Sequence, residues 1–327
     1  EVSGDGSAAA GGSVAAGGSA ATRGRDRKCF EISDDGAGEG PRVRVSDAGA
    51  PLIVTFVDSE GLGTNGALTG AVEHPVLGGR LRVNGRFFMD HFEYDEVNFG
   101  GPFKEVTHDE NDLTETELGL SYTRPLGART SLELIGLRQT ADETYESAFD
   151  DLADLYDFTL DSDTTETIGR AVLRFRQNEA LSWEVGGESA LNTLDSATRF
   201  ALNGAPVALP AANVRVEELR GEVFGKATWR ATRRLTVDAG LRGEASDISS
   251  EGDVALEKSL QFVKPRVGLT WAQDDKTQLR LRIERSVGQL DFDDFVASSS
   301  LNTGVLTAGN PDLNPEQEWI AEAAIAR

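Results

Sequence analysis

Leu219-Arg220-Gly221-Glu222-Val223-Phe224-Gly225-Lys226-Ala227-Thr228-Trp229-Arg230 alternates throughout, with Leu, Gly, Val, Gly, Ala and Trp at odd positions and Arg, Glu, Phe, Lys, Thr and Arg at even ones. A period of two marks a β-strand, because successive side chains leave opposite faces of the pleat. After the polar break Ala231-Thr232-Arg233-Arg234 the alternation resumes, with Leu235, Val237, Ala239 and Leu241 set against Thr236, Asp238, Gly240 and Arg242. The unit reads as an antiparallel hairpin. One face is thin and apolar and the other carries charges of both signs, so such a sheet separates two media. A transmembrane strand needs roughly 9–11 tilted residues with lipid-facing and lumen-facing side chains alternating, and this one is long enough. Turning it over would put Arg220, Glu222 and Lys226 into lipid, at up to ~2–4 kcal/mol for each basic residue near the midplane. That cost fixes the register.

Composition agrees. The chain has 327 residues, 39% of them hydrophobic, and no stretch approaches the length of a helical membrane span. A net charge of −23 and a pI near 4.5 argue against a nucleic-acid partner, which would need a basic surface. Cys29 is the single cysteine and leaves no intramolecular disulfide framework. Glu1 is not a start residue, and Ala324-Ile325-Ala326-Arg327 stops within what reads as a strand, so the reading favours a piece of a longer chain. Residues 1–50 read as a Gly/Ala/Ser-rich low-complexity or linker segment with no assigned structure.

From Leu52-Ile53-Val54-Thr55-Phe56-Val57, read as the first strand, the remainder is a series of hairpins. Their turns fall at Pro75–Gly79, Arg124–Gly127, Gln177–Glu179, Ala231–Arg234 and Gln273–Lys276, and Trp319, Ala321, Ala323 and Ile325 begin one more strand. About eleven strands are expected. Short turns alternate with long connections, near 90–114, 140–166, 188–215, 245–260 and 287–317, as outer-membrane barrels pair short periplasmic turns with long extracellular loops. Tyr122, Phe175, Trp229 and Trp271 each stand just before a short turn, at one end of the sheet. Amphipathic rings favour headgroup depth, which gives this placement its meaning as an interfacial girdle. A soluble sandwich or adhesin also alternates, but its core wants larger residues than Ala and Gly. The fold class is therefore all-β: part of an antiparallel transmembrane β-barrel.

The connection 287–317 ends in Gly309-Asn310-Pro311-Asp312-Leu313-Asn314-Pro315-Glu316, whose two Asn-Pro steps make rigid turns before the strand at Trp319. Here the sequence resembles the TonB-dependent outer-membrane receptors, which carry a similar Gly-Asn-Pro-x-Leu-x-Pro-Glu segment late in the barrel. Gly309, Asn310, Pro311, Leu313, Pro315 and Glu316 carry that motif, and the segments 263–271 and 280–287 look like the family's penultimate hairpins. The resemblance is specific over about 260–320 and rests on pattern alone over about 66–259. It implies that 51–327 is an incomplete receptor barrel, half of a 22-stranded one with a plugged lumen, in the outer membrane of a Gram-negative bacterium. The function it implies is import of a scarce ligand (ferric siderophore, cobalamin, haem or oligosaccharide) with energy from the TonB complex. Its expected partners are outer-membrane lipid, the TonB complex acting through a plug domain, and a small-molecule or metal-chelate ligand. No plug, TonB box or terminal aromatic strand end is recognisable. A passive porin-like channel, or a surface adhesin or anchor barrel, is the competing reading.

No nucleophile has a base placed beside it, so neither an enzyme nor a cofactor is expected. His91-Phe92-Glu93 and His108-Asp109-Glu110 bring imidazole near carboxylates, but no spacing matches a metal geometry, and the reading is a hydrated polar loop without a metal. The lumen-facing Arg80, Arg82, Arg86, Arg170, Arg174, Arg220, Arg266, Arg280 and Arg282 form a basic stripe in an acidic protein. They either pair with carboxylates such as Glu184, Glu222, Asp238 and Glu284 or line a path for an anionic ligand. Tyr145, Phe149, Tyr156 and Phe158 would either stack a ligand or order their own loop. The acidic clusters Asp90–Glu96, Asp142–Asp163 and Asp291–Asp294 are solvated faces, or hold divalent cations that bridge lipopolysaccharide.

Overall fold

The structure is a computed structural model that describes residues 14–18, 22–24, 41–45, 51–100, 103–253, 255–274, 276–288, 292, 298–300, 305–307 and 314–327. Eleven long strands run consecutively and antiparallel through one sheet. They are β4 (Pro51–Val76), β5 (Gly79–Gly100), β6 (Phe103–Pro125), β7 (Thr130–Asp150), β8 (Leu155–Arg176), β9 (Leu181–Leu202), β11 (Asn213–Arg230), β12 (Leu235–Gly252), β13 (Leu256–Ala272), β14 (Gln278–Val287) and β17 (Gln317–Ala326). The short β1 (Val14–Gly18), β2 (Thr22–Gly24) and β3 (Pro41–Val45) pair antiparallel with β4, although no structure was expected before residue 51. β10 (Ala205–Pro206) folds back on β9, while β15 (Ser298–Ser300) and β16 (Val305–Thr307) form a separate ribbon.

The anticipated eleven strands are present, and two details differ from the expectation. The segment 52–57 and the strand through Leu68–Val72 form one continuous element, β4, of 26 residues. The long connections are also mostly ladder: β5 pairs with β6 up to Gly100↔Phe103, and β7 with β8 up to Asp150↔Leu155. The hairpins extend well beyond the apolar belt, and the reason is legible in β11. From Leu219 to Trp229 its apolar residues point outward, Val223 with 69% of its surface exposed, while Arg220, Glu222 and Phe224 point inward and are buried. Above Leu219 the faces exchange character. Asn213, Arg215 and Glu217 are exposed outside, and Val214 and Val216 are buried inside. The period of two never breaks, so the ladder continues. What changes is the side that is wet.

Inward residues of these extensions build the only sizeable apolar clusters among the described residues. Leu194, Ala211, Val214, Val216 and Ile248 pack together with Leu160, Leu256, Leu260 and Phe292 against them. Burying such side chains contributes ~1.5–3 kcal/mol each, which holds the rim above the belt as a soluble domain is held.

At the opposite, short-turn end, β4 and β5 are joined by Leu77-Gly78, both at positive φ (50° and 77°), the geometry of a tight type I′ hairpin turn. Tyr122 donates its hydroxyl to the Val76 carbonyl at 3.2 Å, and the Trp183 indole donates to Gln177 Oε1 at 3.0 Å. Trp183 stands opposite Phe175 in the β8–β9 ladder and joins the four expected aromatic residues at this end.

Candidate functional site

The inner wall within the belt is an ion-pair lattice. Arg80 meets Glu73 at 2.9 Å, with Arg82 opposite Glu73 in the ladder, and Arg86 meets Glu115 at 3.2 Å. Arg174 bridges Glu133 (2.7 Å) and Glu184 (2.9 Å). Glu188 takes Arg170 at 3.4 Å and the buried Arg220 at 3.8 Å. Arg266 meets Glu284 at 3.4 Å, Arg282 meets Glu322 at 2.7 Å, and Arg280 Nε donates to Gln278 Oε1 at 2.9 Å. Strand alternation places all nine arginines on the inner face, eight of them beside carboxylates of neighbouring strands and Arg280 beside an amide of its own strand.

Three further cations, not among the nine arginines of the expected basic stripe, occupy the same wall. Lys264 lies between Glu244 (2.7 Å) and Glu222 (2.9 Å), and Arg242 reaches Glu222 at 3.1 Å. Lys226 faces the same concavity. Their even positions on β11, β12 and β13 share register with Arg220 and Arg266 and carried the signal. Phe224 sits among them, with the Arg170 and Arg242 guanidinium groups 4.9 and 5.5 Å from its ring centre. It packs over Gly186, where an added Cβ would lie 2.6 Å from the ring and 2.5 Å from the Ala171 carbonyl oxygen. This concavity holds about 680 Å³, and seven basic and four acidic side chains line it. It is locally basic within a strongly acidic chain.

At the rim, the structure gathers the four aromatic candidates. Tyr145 and Phe158 have ring centres 6.3 Å apart, Phe149 and Tyr156 5.8 Å, and Tyr156 and Phe200 6.4 Å. Phe149 and Phe158 are buried in this cluster, and Leu209 of the 207–212 connection packs against it. Burial and the Asp109 carboxylate push the Tyr145 phenol up to about 12, so it stays neutral. Asn203-Gly204 forms a second turn with both φ positive, and Asn203 Oδ1 accepts from the Leu155 amide at 2.8 Å. The tip of one rim hairpin is thereby clasped to the tip of the next. An Asn-Gly pair is a strong hairpin signal, and within 188–215 it was readable from sequence.

His91 and His108 lie on the outer face of the β5–β6 extension, outside the belt. Hydrogen bonds at 2.8 Å, from His91 to Asp112 and from His108 to Asp95, raise both imidazoles above their ordinary value. In the motif before β17, Gly309, Asn310, Pro311 and Leu313 lie outside the described residues, as do Asp291, Asp293, Asp294 and Cys29. Pro315 is buried, and the Glu316 carbonyl accepts from the Gly288 amide at 2.9 Å, closing the base of the β14–β17 connection.

An antiparallel sheet with an apolar outer belt, a charged inner wall and hairpins extended past one side of the belt is the wall of a membrane β-barrel. Residues 50–325 match the family described as TonB dependent receptor-like, beta-barrel, and the chain belongs to that family. Solved structures with the same fold include the siderophore receptor PiuA from Acinetobacter baumannii (TM-score 0.51, 9% identity, 84% of this chain and 52% of that one). The ferric-catecholate import receptor Fiu from E. coli K12 (0.51, 10%, 84% and 53%) and the copper transporter OprC (0.53, 10%, 84% and 49%) are similarly related. The chain spans about half the length of these structures. No curated protein sequence matches it significantly.

Proposed function

We infer that this chain forms part of the wall of an outer-membrane receptor that imports a scarce, anionic ligand, a metal chelate being the class that fits best, with energy delivered by TonB. The short-turn end is periplasmic and the extended rim extracellular. The observation that carries the ligand class is the basic concavity bounded by Lys226, Arg242, Lys264, Arg266, Arg280 and Arg282, set in a chain of net charge −23. Acidic rim surfaces reject bulk anions, while a locally positive inner wall favours one that has been captured and released inward. The rim aromatics contribute through order rather than direct stacking, since Phe149 and Phe158 are buried against each other's neighbours.

Energised uptake by whole cells tests this reading. A protonophore is expected to abolish uptake of the ligand, whereas a passive pore would continue to equilibrate it. Lys226→Gln combined with Arg280→Gln is expected to reduce uptake of an anionic ferric chelate severalfold and leave a neutral one unchanged. Equal effects on the two chelates would overturn the ligand class. Arg220 is a poor site for that test, because it is buried against Glu188 and its reversal would disturb the wall itself.

A further inference from the structure

On the outer face of the β5–β6 extension, ladder pairing makes a near-symmetric array: His91 faces Asp112, Glu93 faces Glu110, and Asp95 faces His108. The two segments lie apart in sequence, so no spacing rule detects them. Only the register brings them together. Glu110 also faces Glu146 of β7, which makes Glu93, Glu110 and Glu146 three carboxylates side by side on adjacent strands. Like charges directly opposite in a sheet are destabilising, and a cation held between them would relieve that repulsion.

His91 supplies the feature that distinguishes this place from an ordinary acidic face. Its Nδ1 lies 2.8 Å from Asp112 Oδ1 and 3.9 Å from Glu110 Oε1, and its Nε2 lies 3.4 Å from Glu93 Oε1. With Nδ1–H donating to Asp112, the Nε2 lone pair is held beside the Glu93 carboxylate. A carboxylate that fixes the imidazole tautomer in this way is the usual support of a metal-ligating histidine. Ligand atoms from His91, Glu93 and Glu110 all lie within 4.8 Å of one another. Around a tetrahedral ion with bonds of about 2.0–2.1 Å the ligand atoms stand roughly 3.3 Å apart, so the widest of these separations has to close by about 1.5 Å. All three are partly exposed and free to do so.

We propose that His91, Glu93 and Glu110 form a surface site for a divalent transition cation of the zinc class, with Asp112 as the positioning residue for His91. One nitrogen and two carboxylate oxygens select such an ion over Mg²⁺ or Ca²⁺, which prefer all-oxygen shells. Three protein ligands leave a position for water or for a ligand from outside the barrel. The site stands on the outer surface, away from the lumen, and does not depend on what the receptor transports.

The test is calorimetric titration of Zn²⁺ alone into the full-length protein, purified in detergent and washed with a chelator. The wild type is expected to bind a zinc equivalent that His91→Gln loses and His108→Gln keeps. Asp112→Asn is expected to weaken that equivalent by about 10–100-fold without removing it, as loss of an orienting carboxylate does. Far-ultraviolet circular dichroism checks that each variant remains folded. Zinc binding that is unchanged in His91→Gln, or lost equally in His108→Gln, would overturn the assignment, as would no binding below millimolar zinc.

Discussion

At the scale of single residues, the costs are local and specific. Leu77 adopts φ 50° at the first position of a tight turn, a conformation that favours Asn or Gly and costs a branched apolar residue of order 1 kcal/mol. Its side chain is largely exposed. Leu77→Asn is therefore expected to raise stability by about 1 kcal/mol, measured as the urea midpoint of the protein refolded in micelles. Asp163 offers a pH-dependent counterpart on the rim. It faces Asp142 across the ladder, and the hydrogen bond the two share holds the Asp163 carboxyl above the usual range. A raised folded-state value in an acid means that the fold is disfavoured when both groups are ionised and is relieved as pH falls through that value. Asp142→Asn is expected to stabilise at neutral pH by a few tenths of a kcal/mol, given the exposure of the pair. The gain should vanish once the pH drops below the carboxylate range.

At the scale of the strand, the exchange of faces along β11 gives opposite predictions for two valines. Val223→Arg puts a charge on the lipid side, at ~2–4 kcal/mol near the midplane, and should lower the yield of folding into lipid vesicles. Val216→Asn opens the inner apolar cluster of the rim instead. It should leave vesicle insertion intact while making the rim susceptible to chymotrypsin. Lys264 tests the inner wall. Lys264→Met leaves Glu222 and Glu244 facing each other without their shared cation and is expected to cost about 1–3 kcal/mol. Neutralising both glutamates in the same variant should recover most of that loss. Period-two patterning made the strands, their number and the inward set of arginines legible, because alternation is a property of each strand alone. The extension of the ladders was not legible, since a polar outer face reads as loop wherever membrane is the assumed surroundings. Nor were the partners of His91 and Lys264, which depend on register between strands and on no spacing within one.

At the scale of the molecule, the charged inner wall and the rim core do different work. The ion-pair lattice keeps a hydrated interior rigid without filling it, and the basic concavity retains an excess of positive charge after its internal pairs are counted. The rim packs like a soluble protein and presents acidic outer faces. Replacing the Asn203-Gly204 turn by a flexible linker should loosen the clasp between neighbouring rim hairpins and weaken capture of the ligand. Equilibrium binding to whole cells would report that loss, with the amount of protein in the membrane unchanged.

The polarity exchange also sets a waterline. On one side of the belt the outward positions become Glu217 and Arg215 within a single further turn of the pleat, and on the other Trp229 and Trp271 stop at the tight turns. Sliding the sheet by one residue pair, about 6–7 Å along a strand, would submerge charges on several strands at once or lift the aromatic ring out of the headgroups. The vertical position of the barrel is thus fixed from both sides. A bilayer of unequal thickness must thin or thicken around the protein, because the protein has little freedom to rise or sink to meet it.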